Sequence, residues 1–493
     1  MSLADLLFGP GALAEGPAAL VHAGGVAYTA DEVRARAEAV AAAVGPAGVA
    51  GRAVGVMLPD GVDVVAALFG VWRAGGVYVP LNPRLTDGEV GHVLAALDPA
   101  AVVTTAEHRE RFAGRPVHVM PGGGRAAGGA VRAGGGEGGA LDPDAALVQF
   151  TSGTTGRPKP VVLTHTGVLT LLDNVVAKLR GGGRVPAGEP MPNLVPVSLS
   201  LWAGIYNVLF ALRVGAPVVI LGRFDPLALV ALVKQFGIRS TVLPPAAMAA
   251  LVDDERVTDL APLRYVRSIT APLSPLQARR FRDRFGIAVL NSYGQTEIGG
   301  EIVGWTAADS REHGDAKLGS VGRPHAGVEV RVDGATGELQ VRTPALAAGY
   351  AGGDSGGGGG DLADRLTADG WFRTGDVGRV DGDGFVWIEG RLSDMINRGG
   401  LKVAPAEVEE VLRTSPEVAD AAVVGLPDHR LGEVPVAFVV AATGLAPTSD
   451  GLSGLCRAHL APYKVPVRFE IVDALPRNEV GKVLRSVLRG NGR

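Results

Sequence analysis

The sequence predicts an α/β protein: a large N-terminal domain of two α/β layers plus a β-barrel-like subdomain, followed by a small α+β C-terminal domain. Three observations predict it. Helical and strand-like apolar runs alternate through the N-terminal part of the chain. From about Val321 the texture becomes short alternating runs separated by Gly/Asp turns. After Arg391 it changes again, to a compact βα unit. Strands alternating with helices at this interval form βαβ units and parallel sheets, whereas alternation with Gly/Asp turns marks hairpins.

The elements follow in order. Residues 31–44 (DEVRARAEAVAAAV) have helical spacing, 53–58 (AVGVML) are strand-like, 61–75 are helical again and 77–82 (VYVPLN) form another strand. The pattern returns in 216–221 (APVVIL), 238–245 (IRSTVLPP) and 287–294 (IAVLNSYG), which is why two layers are expected rather than one. Residues 328–332, 337–343 and 378–391 carry the hairpin pattern. A helix at 403–416, two strands and a helix around Cys456 make up the last unit. The boundaries drawn are 1–390 for the large domain, 391–395 for a hinge and 396–493 for the small domain. Two Gly-rich patches, 121–139 and 352–361, read as loops by composition.

Composition excludes several classes. At 493 residues there is room for large buried cores, and 47% apolar against 20% charged residues is globular rather than disordered. A net charge of −4 gives no global basic field, so nucleic acid is not expected as a partner. The single cysteine, Cys456, excludes an internal disulfide and reads as packing. Residues 191–212 carry no charge and imitate a membrane span, but two Pro, two Asn, two Ser and a Gly favour a buried strand-to-helix segment. No basic segment precedes the first short apolar run, so no signal peptide is expected. The expectation is a soluble, cytoplasmic monomer or homodimer.

The stretch FTSGTTGRPKPVVLTH (150–165) poses the chemical question. Thr151, Ser152, Gly153, Thr154, Thr155 and Gly156 are small and rich in hydroxyls, and Lys159 follows between Pro158 and Pro160. Successive small residues offer N–H and O–H groups to a polyphosphate. A Walker loop needs its lysine at a helix start, and the flanking prolines deny both the amide and the turn. Taken alone, the loop reads equally as a surface turn. It has company. NSYGQTEIGG (291–300) follows a strand and supplies Tyr293 for stacking on a base, Thr296 for a phosphate and Glu297 for Mg²⁺. WFRTGDVG (371–378) presents Asp376, a carboxylate suited to ribose hydroxyls. Arg391 lies at the domain boundary, and Lys482 follows a Gly near the C-terminal end.

This ordered set resembles the adenylate-forming superfamily of acyl-CoA synthetases, peptide-synthetase adenylation domains and luciferases. Through GGLKVAPAEVEEVL (399–412) it looks most like acyl- and aryl-CoA ligases such as 4-coumarate–CoA ligase. The resemblance implies ATP, Mg²⁺ and coenzyme A as cofactors, with roles residue by residue. Thr151 to Gly156 and Lys159 would cover the β- and γ-phosphates. Tyr293 would lie against adenine, with Thr270, Ala271 and Pro272 at its edge. Thr296 would contact the α-phosphate and Glu297 the Mg²⁺. Asp376 and Arg391 would hold the ribose, and Lys482 would bridge the acid and the α-phosphate. Ser393 sits at the hinge position, about which the small domain would rotate to present Gly399, Gly400 and Lys402 to the thiol. The acid pocket is expected among Leu199, Trp202, Tyr206, Asn207, Thr270, Ala271, Gly299 and Gly300, and rings beside Gly-Gly suit an aryl or medium acyl group.

Three positions depart from the family pattern. Pro160 replaces the usual Gly after the loop lysine, Leu199 stands where His is common, and Thr270 replaces a small Gly. Leu199 puts the thiol step in question. The alternatives are therefore a carrier-protein phosphopantetheine or an amine as acceptor, and diverted activation of nitrite as in a diazotase. A nucleotide-binding regulator without catalysis is the reading from another class. The retention of Thr296, Glu297, Asp376, Arg391 and Lys482 together argues against it, since a site relaxed from catalysis usually loses a charged member.

Overall fold

The computed structural model describes residues 2–9, 19–120, 139–151, 158–180, 190–352, 362–477 and 482–491. The first α/β layer is a seven-stranded sheet in the order Gly349–Tyr350, Lys159–Thr164, Ala145–Thr151, Val77–Pro80, Ala53–Met57, Ala101–Thr104, Val117–Val119. Its central strands run parallel, as βαβ crossovers require, and only the Lys159–Thr164 end is antiparallel. Strand Ala53–Met57 is buried along its whole length, because helices cover both faces.

Helix Ala30–Val44 begins with a capping box between Thr29 and Glu32, and it buries Val33, Ala37, Val40 and Val44 at helical spacing. That face meets helix Val62–Arg73 at Gly70, where an added Cβ would fall 2.5 Å from the Ala37 carbonyl oxygen. Only glycine permits so close an approach.

The second layer is a five-stranded sheet, Ser240–Leu243, Tyr265–Ser268, Ala288–Gln295, Gly300–Gly304 and Arg323–Pro324. Its first three strands are parallel and its last three antiparallel. A smaller sheet joins Val21–Ala23 to Val218–Ile220 and Asn193–Val195 in parallel. The uncharged stretch that imitates a membrane span is strand Asn193–Val195 followed by the 12-residue helix Trp202–Arg213. Among the described residues no helix is long and apolar enough to cross a membrane.

The β-rich subdomain is a four-stranded antiparallel sheet, Glu329–Val332, Glu338–Arg342, Phe372–Val380 and Val386–Arg391. Beyond it, strands Leu401–Val403, Ile396–Arg398, Gly432–Ala441, Val418–Asp428 and Arg468–Ile471 build a separate sheet. Helices Pro405–Arg413 and Ser449–His459 pack on it around Ile396, Val408, Leu412 and Cys456. Cys456 is fully buried, and burial pushes its thiol up to about 11, so it packs as expected and is unreactive.

Candidate active site

Strands Ala145–Thr151 and Lys159–Thr164 are antiparallel neighbours, with Thr151 directly opposite Lys159. The hydroxyl-rich segment therefore connects two strands, whereas a Walker loop joins a strand to a helix. Ser152, Gly153, Thr154, Thr155 and Gly156 lie outside the described residues. Lys159 Nζ sits 5.1 Å from the centre of the Tyr350 ring, a cation–π contact. The Tyr350 hydroxyl is 3.5 Å from Glu297 Oε1, and Arg365 Nη1 is 3.4 Å from the same oxygen. The short strand Gly349–Tyr350, paired with Lys159–Thr164, thus carries Tyr350 between the base of the loop and Glu297.

A second group converges on Asp376, which is 4% exposed. Tyr293 and Gln295 lie two residues apart on strand Ala288–Gln295 and so face the same way. The Tyr293 hydroxyl donates to Asp376 Oδ2 at 2.7 Å, and Gln295 Nε2 donates to the same oxygen at 2.6 Å. Gln295 Nε2 is also 2.8 Å from the Thr374 carbonyl. Arg391 Nε lies 3.0 Å from Asp376 Oδ1, because the two residues are register partners on adjacent strands. Burial first, and then the Asp376 charge, raise the Tyr293 phenol well above its ordinary range, so it remains a donor.

Lys482 reaches this group from the C-terminal part of the chain. Burial lowers its ammonium pKa, the Arg391 charge lowers it further, and Asp394 and Asp376 oppose the shift. The Asp376 and Arg391 charges thus both act on Lys482 through space.

The turn Thr296–Ile298 ends at Gly299 with φ 85°, and Gly300 follows with φ 125°. The Trp202 indole N–H donates to the Gly299 carbonyl at 2.9 Å, and a Cβ on Gly300 would sit 2.8 Å from Trp202 Nε1. Trp202 and Tyr206, one helical turn apart, have ring centroids 5.9 Å apart and form the aromatic side of this wall. Two expected pocket residues are placed otherwise. Asn207 lies about 100° round the helix from Tyr206. Its amide donates to the Ala203 carbonyl, and its own carbonyl accepts from Asn193. Leu199 is 1% exposed in the main hydrophobic core, with its N–H held by Asp60 Oδ1 at 2.7 Å. Thr270, ahead of Ala271 and Pro272, has φ 72°, a left-handed conformation that suits the Gly it replaces. Ser393 lies exposed in the turn Leu392–Asp394. Lys402 is exposed on strand Leu401–Val403, opposite Asn397, and is not among the groups converging on Asp376.

The comparisons with known proteins agree with this geometry. A family model described as AMP-binding enzyme matches residues 13–351, and one for the AMP-binding enzyme C-terminal domain matches 407–482. The chain belongs to the AMP-binding enzyme family. This AMP-binding enzyme is 33% identical over 496 residues to feruloyl-CoA synthase of an Amycolatopsis species, with 96% of its own chain and 95% of that protein covered. It superposes on ATP-bound MatB of Rhodopseudomonas palustris with a TM-score of 0.86 at 27% identity, covering 100% of this chain and 99% of that one. Apo MatB gives 0.76 at the same identity, with 100% and 99% covered. The amide bond synthetase McbA of Marinactinospora thermotolerans gives 0.84 at 30% identity, with 100% and 99% covered.

The donor set of this AMP-binding enzyme fits Mg²⁺ rather than a metal held by protein ligands alone. Among the described residues no three His, Cys, Asp or Glu side chains gather as a metal site. A single partly buried carboxylate, Glu297, suits an ion that takes one or two carboxylates and otherwise substrate phosphates and water. Sequence reasoning missed Gln295, Tyr350 and Arg365. Gln295 had a signal, its i+2 spacing from Tyr293 on one strand; Tyr350 and Arg365 had none, because sheet pairing brings Tyr350 to Glu297 and the short helical turn Leu362–Arg365 brings Arg365.

Proposed function

We propose that this enzyme uses ATP and Mg²⁺ to convert a carboxylic acid of aryl or medium acyl type into its acyl-AMP, releasing pyrophosphate, and then passes the acyl group to the thiol of coenzyme A. The observation that supports the reading is the convergence of Tyr293, Gln295 and Arg391 on Asp376, with the Asp376 and Arg391 charges also acting on Lys482. Asp376, backed by Arg391, accepts the ribose hydroxyls, and Tyr293 offers its face to adenine beside Thr270, Ala271 and Pro272. The Thr151–Gly156 segment and Lys159 cover the β- and γ-phosphates, and Thr296 contacts the α-phosphate. Glu297 holds Mg²⁺, whose charge when bound neutralises phosphate oxygens. A carboxylate oxygen of the acid attacks the α-phosphorus, the new O–P bond forms, and the bond to the β-phosphate oxygen breaks. Two anions meet in that step, so Lys482 lowers the barrier by lying between them. The protein supplies no nucleophile. The acid lies against Trp202, Tyr206 and Gly299–Gly300.

The large domain is 1–390, with rotation about Ser393 in 391–395 bringing Gly399, Gly400 and Lys402 to the incoming thiol. A second reading, transfer to an amine or a carrier-protein thiol, is favoured by the buried Leu199 at a position where the family commonly has His, and by the likeness to an amide bond synthetase. The deciding experiment is ATP–pyrophosphate exchange over a panel of aryl, cinnamyl, short and long acids, with coenzyme A and amines then added to each active acid. Exchange followed by coenzyme A consumption supports the first reading. Exchange with turnover only on an amine supports the second, and silence across the panel refutes both.

A further inference from the structure

The tail that carries Lys482 is anchored on both sides of it: Leu475, Val483 and Leu488 pack with Ala422, Val424, Leu426, Val436 and Phe438. Arg477 bridges to Val483 across residues outside the description, and the Leu484 N–H donates to the Pro476 carbonyl at 2.8 Å. The helix after it, Arg485–Asn491, has seven residues, and its Leu488 is buried. A helix this short does not hold itself, so its contacts decide where it sits.

The apolar packing is non-directional, and the directed contacts that fix the helix's orientation are ionic. Arg485 Nη2 lies 2.6 Å from Glu409 Oε1, and Glu409 is 5% exposed. The same Glu409 oxygen accepts from the Val423 N–H at 2.9 Å, and Arg413 Nη2 is 3.6 Å from the other oxygen. Glu409 therefore ties helix Pro405–Arg413, strand Val418–Asp428 and the tail at one buried point. Arg489 Nη2 lies 3.1 Å from Asp394 Oδ1, and Arg485 Nη1 lies 4.0 Å from Asp394 Oδ2. Asp394 directly follows Ser393.

We propose that Arg485 is the positioning residue for Lys482: it fastens the tail to buried Glu409 and, with Arg489, to Asp394 just after Ser393, so that Lys482 moves as one rigid body with the part of the chain that rotates about Ser393. The inference rests on Lys482 acting in adenylation, as proposed above. Its physical basis is that a flexible lysine contributes to a transition state only when its backbone is fixed, since misplacement by about 1 Å costs on the order of 10²-fold in rate.

The test uses the full chain and acid-dependent pyrophosphate exchange with the most active acid of the panel. Arg485→Gln is expected to lower the exchange kcat by about 10–100-fold, with KM for ATP within about threefold of wild type. Arg485→Lys, which keeps the charge, is expected to recover most of the rate. In a Lys482→Ala background, Arg485→Gln should cost less than about twofold, because the group through which it acts is gone. The alkaline limb of the exchange profile should also move to higher pH in Arg485→Gln. Arg485 and Arg391 depress Lys482 while Asp394 and Asp376 raise it, and one of the depressing charges has been removed.

Equal losses in the two backgrounds would overturn the inference and leave Arg485 a structural residue. So would a wild-type rate in Arg485→Gln, or an Arg485→Lys variant as impaired as Arg485→Gln. Lys482→Ala with full exchange would instead overturn the reading beneath it, and this inference would fall with it. Should Arg485→Gln fail to fold, the double variant Arg485→Met, Glu409→Met removes both buried charges and replaces it in each comparison.

Discussion

At the scale of single residues, Thr270 shows how a departure from the family pattern acquires a physical meaning. A β-branched residue at φ 72° is strained, because its Cβ crowds the backbone. The left-handed conformation costs about 1–2 kcal/mol for a non-glycine residue, and glycine gives back about 0.5–1 kcal/mol in backbone entropy. Thr270→Gly is therefore expected to stabilise the fold by about 0.5–1 kcal/mol, read as a higher denaturation midpoint with unchanged slope. An unchanged or lower midpoint would mean that the threonine hydroxyl contributes a contact worth the strain. Tyr293 offers a second test. Phe at that position keeps the ring but removes a donor to the buried Asp376, a charge-assisted bond worth about 1.5–3 kcal/mol. Tyr293→Phe should raise KM for ATP by about tenfold or more through a loosened Asp376, and ATP titration of the variant checks it. The motif letters exposed Tyr293 and Asp376 in the sequence. Gln295, which shares the same Asp376 oxygen, stood inside the motif unremarked because its role depends on which face of the strand meets strand Phe372–Val380.

At the scale of elements, strand Gly300–Gly304 depends on a buried charge network that no sequence pattern announced. Glu301 is 2.5 Å from Arg267 and 3.2 Å from His325 Nε2, and its side chain is 12% exposed. Burial pushes the Glu301 carboxyl up, but Arg267 with His325 and Lys178 outweighs it and holds the group at about 2. The sign follows. A carboxylate whose pKa is depressed by folding stabilises the protein above its unfolded value of about 4.3, and that contribution is lost as pH falls from there toward 2. Thermal melts should show stability dropping over this acidic window in wild type and a flatter response in Glu301→Gln. At pH 7 that variant leaves Arg267 buried without its counter-charge, at a cost of about 3–5 kcal/mol. A variant as stable as wild type would show that water already screens the pair. The strands and helices were legible because each has its own period: the helix at 31–44 and the strands at 53–58, 216–221 and 238–245 fold within a residue or two of their expected bounds. Which strands become neighbours was not legible. Val21–Ala23 beside Val218–Ile220, and Gly349–Tyr350 beside Lys159–Thr164, are pairings across long stretches of chain, and periodicity carries no information about partners.

At the scale of the whole molecule, the proposed site draws on both parts of the chain, and the motif order in the sequence gives no hint of how they meet. Lys482 lies far along the chain from Tyr293, yet the Asp376 and Arg391 charges act on it. The chain superposes better on ATP-bound MatB, at 0.86, than on the apo form, at 0.76. Lys402 is exposed on the C-terminal sheet and takes no part in this arrangement. If one domain serves both half-reactions, the residues between Arg391 and Met395 must change their backbone angles, since hinge motion concentrates in a few such positions. Ser393 is exposed and free of core packing, so Pro can replace it without disturbing a buried contact. Proline locks its own φ near −65° and restricts the residue before it, which denies the hinge its freedom. Ser393→Pro is therefore expected to keep acid-dependent pyrophosphate exchange within about twofold of wild type. Acyl transfer from supplied acyl-AMP should fall by about tenfold or more, because the face carrying Gly399, Gly400 and Lys402 no longer comes round. Should both half-reactions survive, the acceptor reaches the acyl-AMP without rotation. That outcome would also favour a small amine over the long pantetheine arm, because an amine needs no channel built by the second face of the domain.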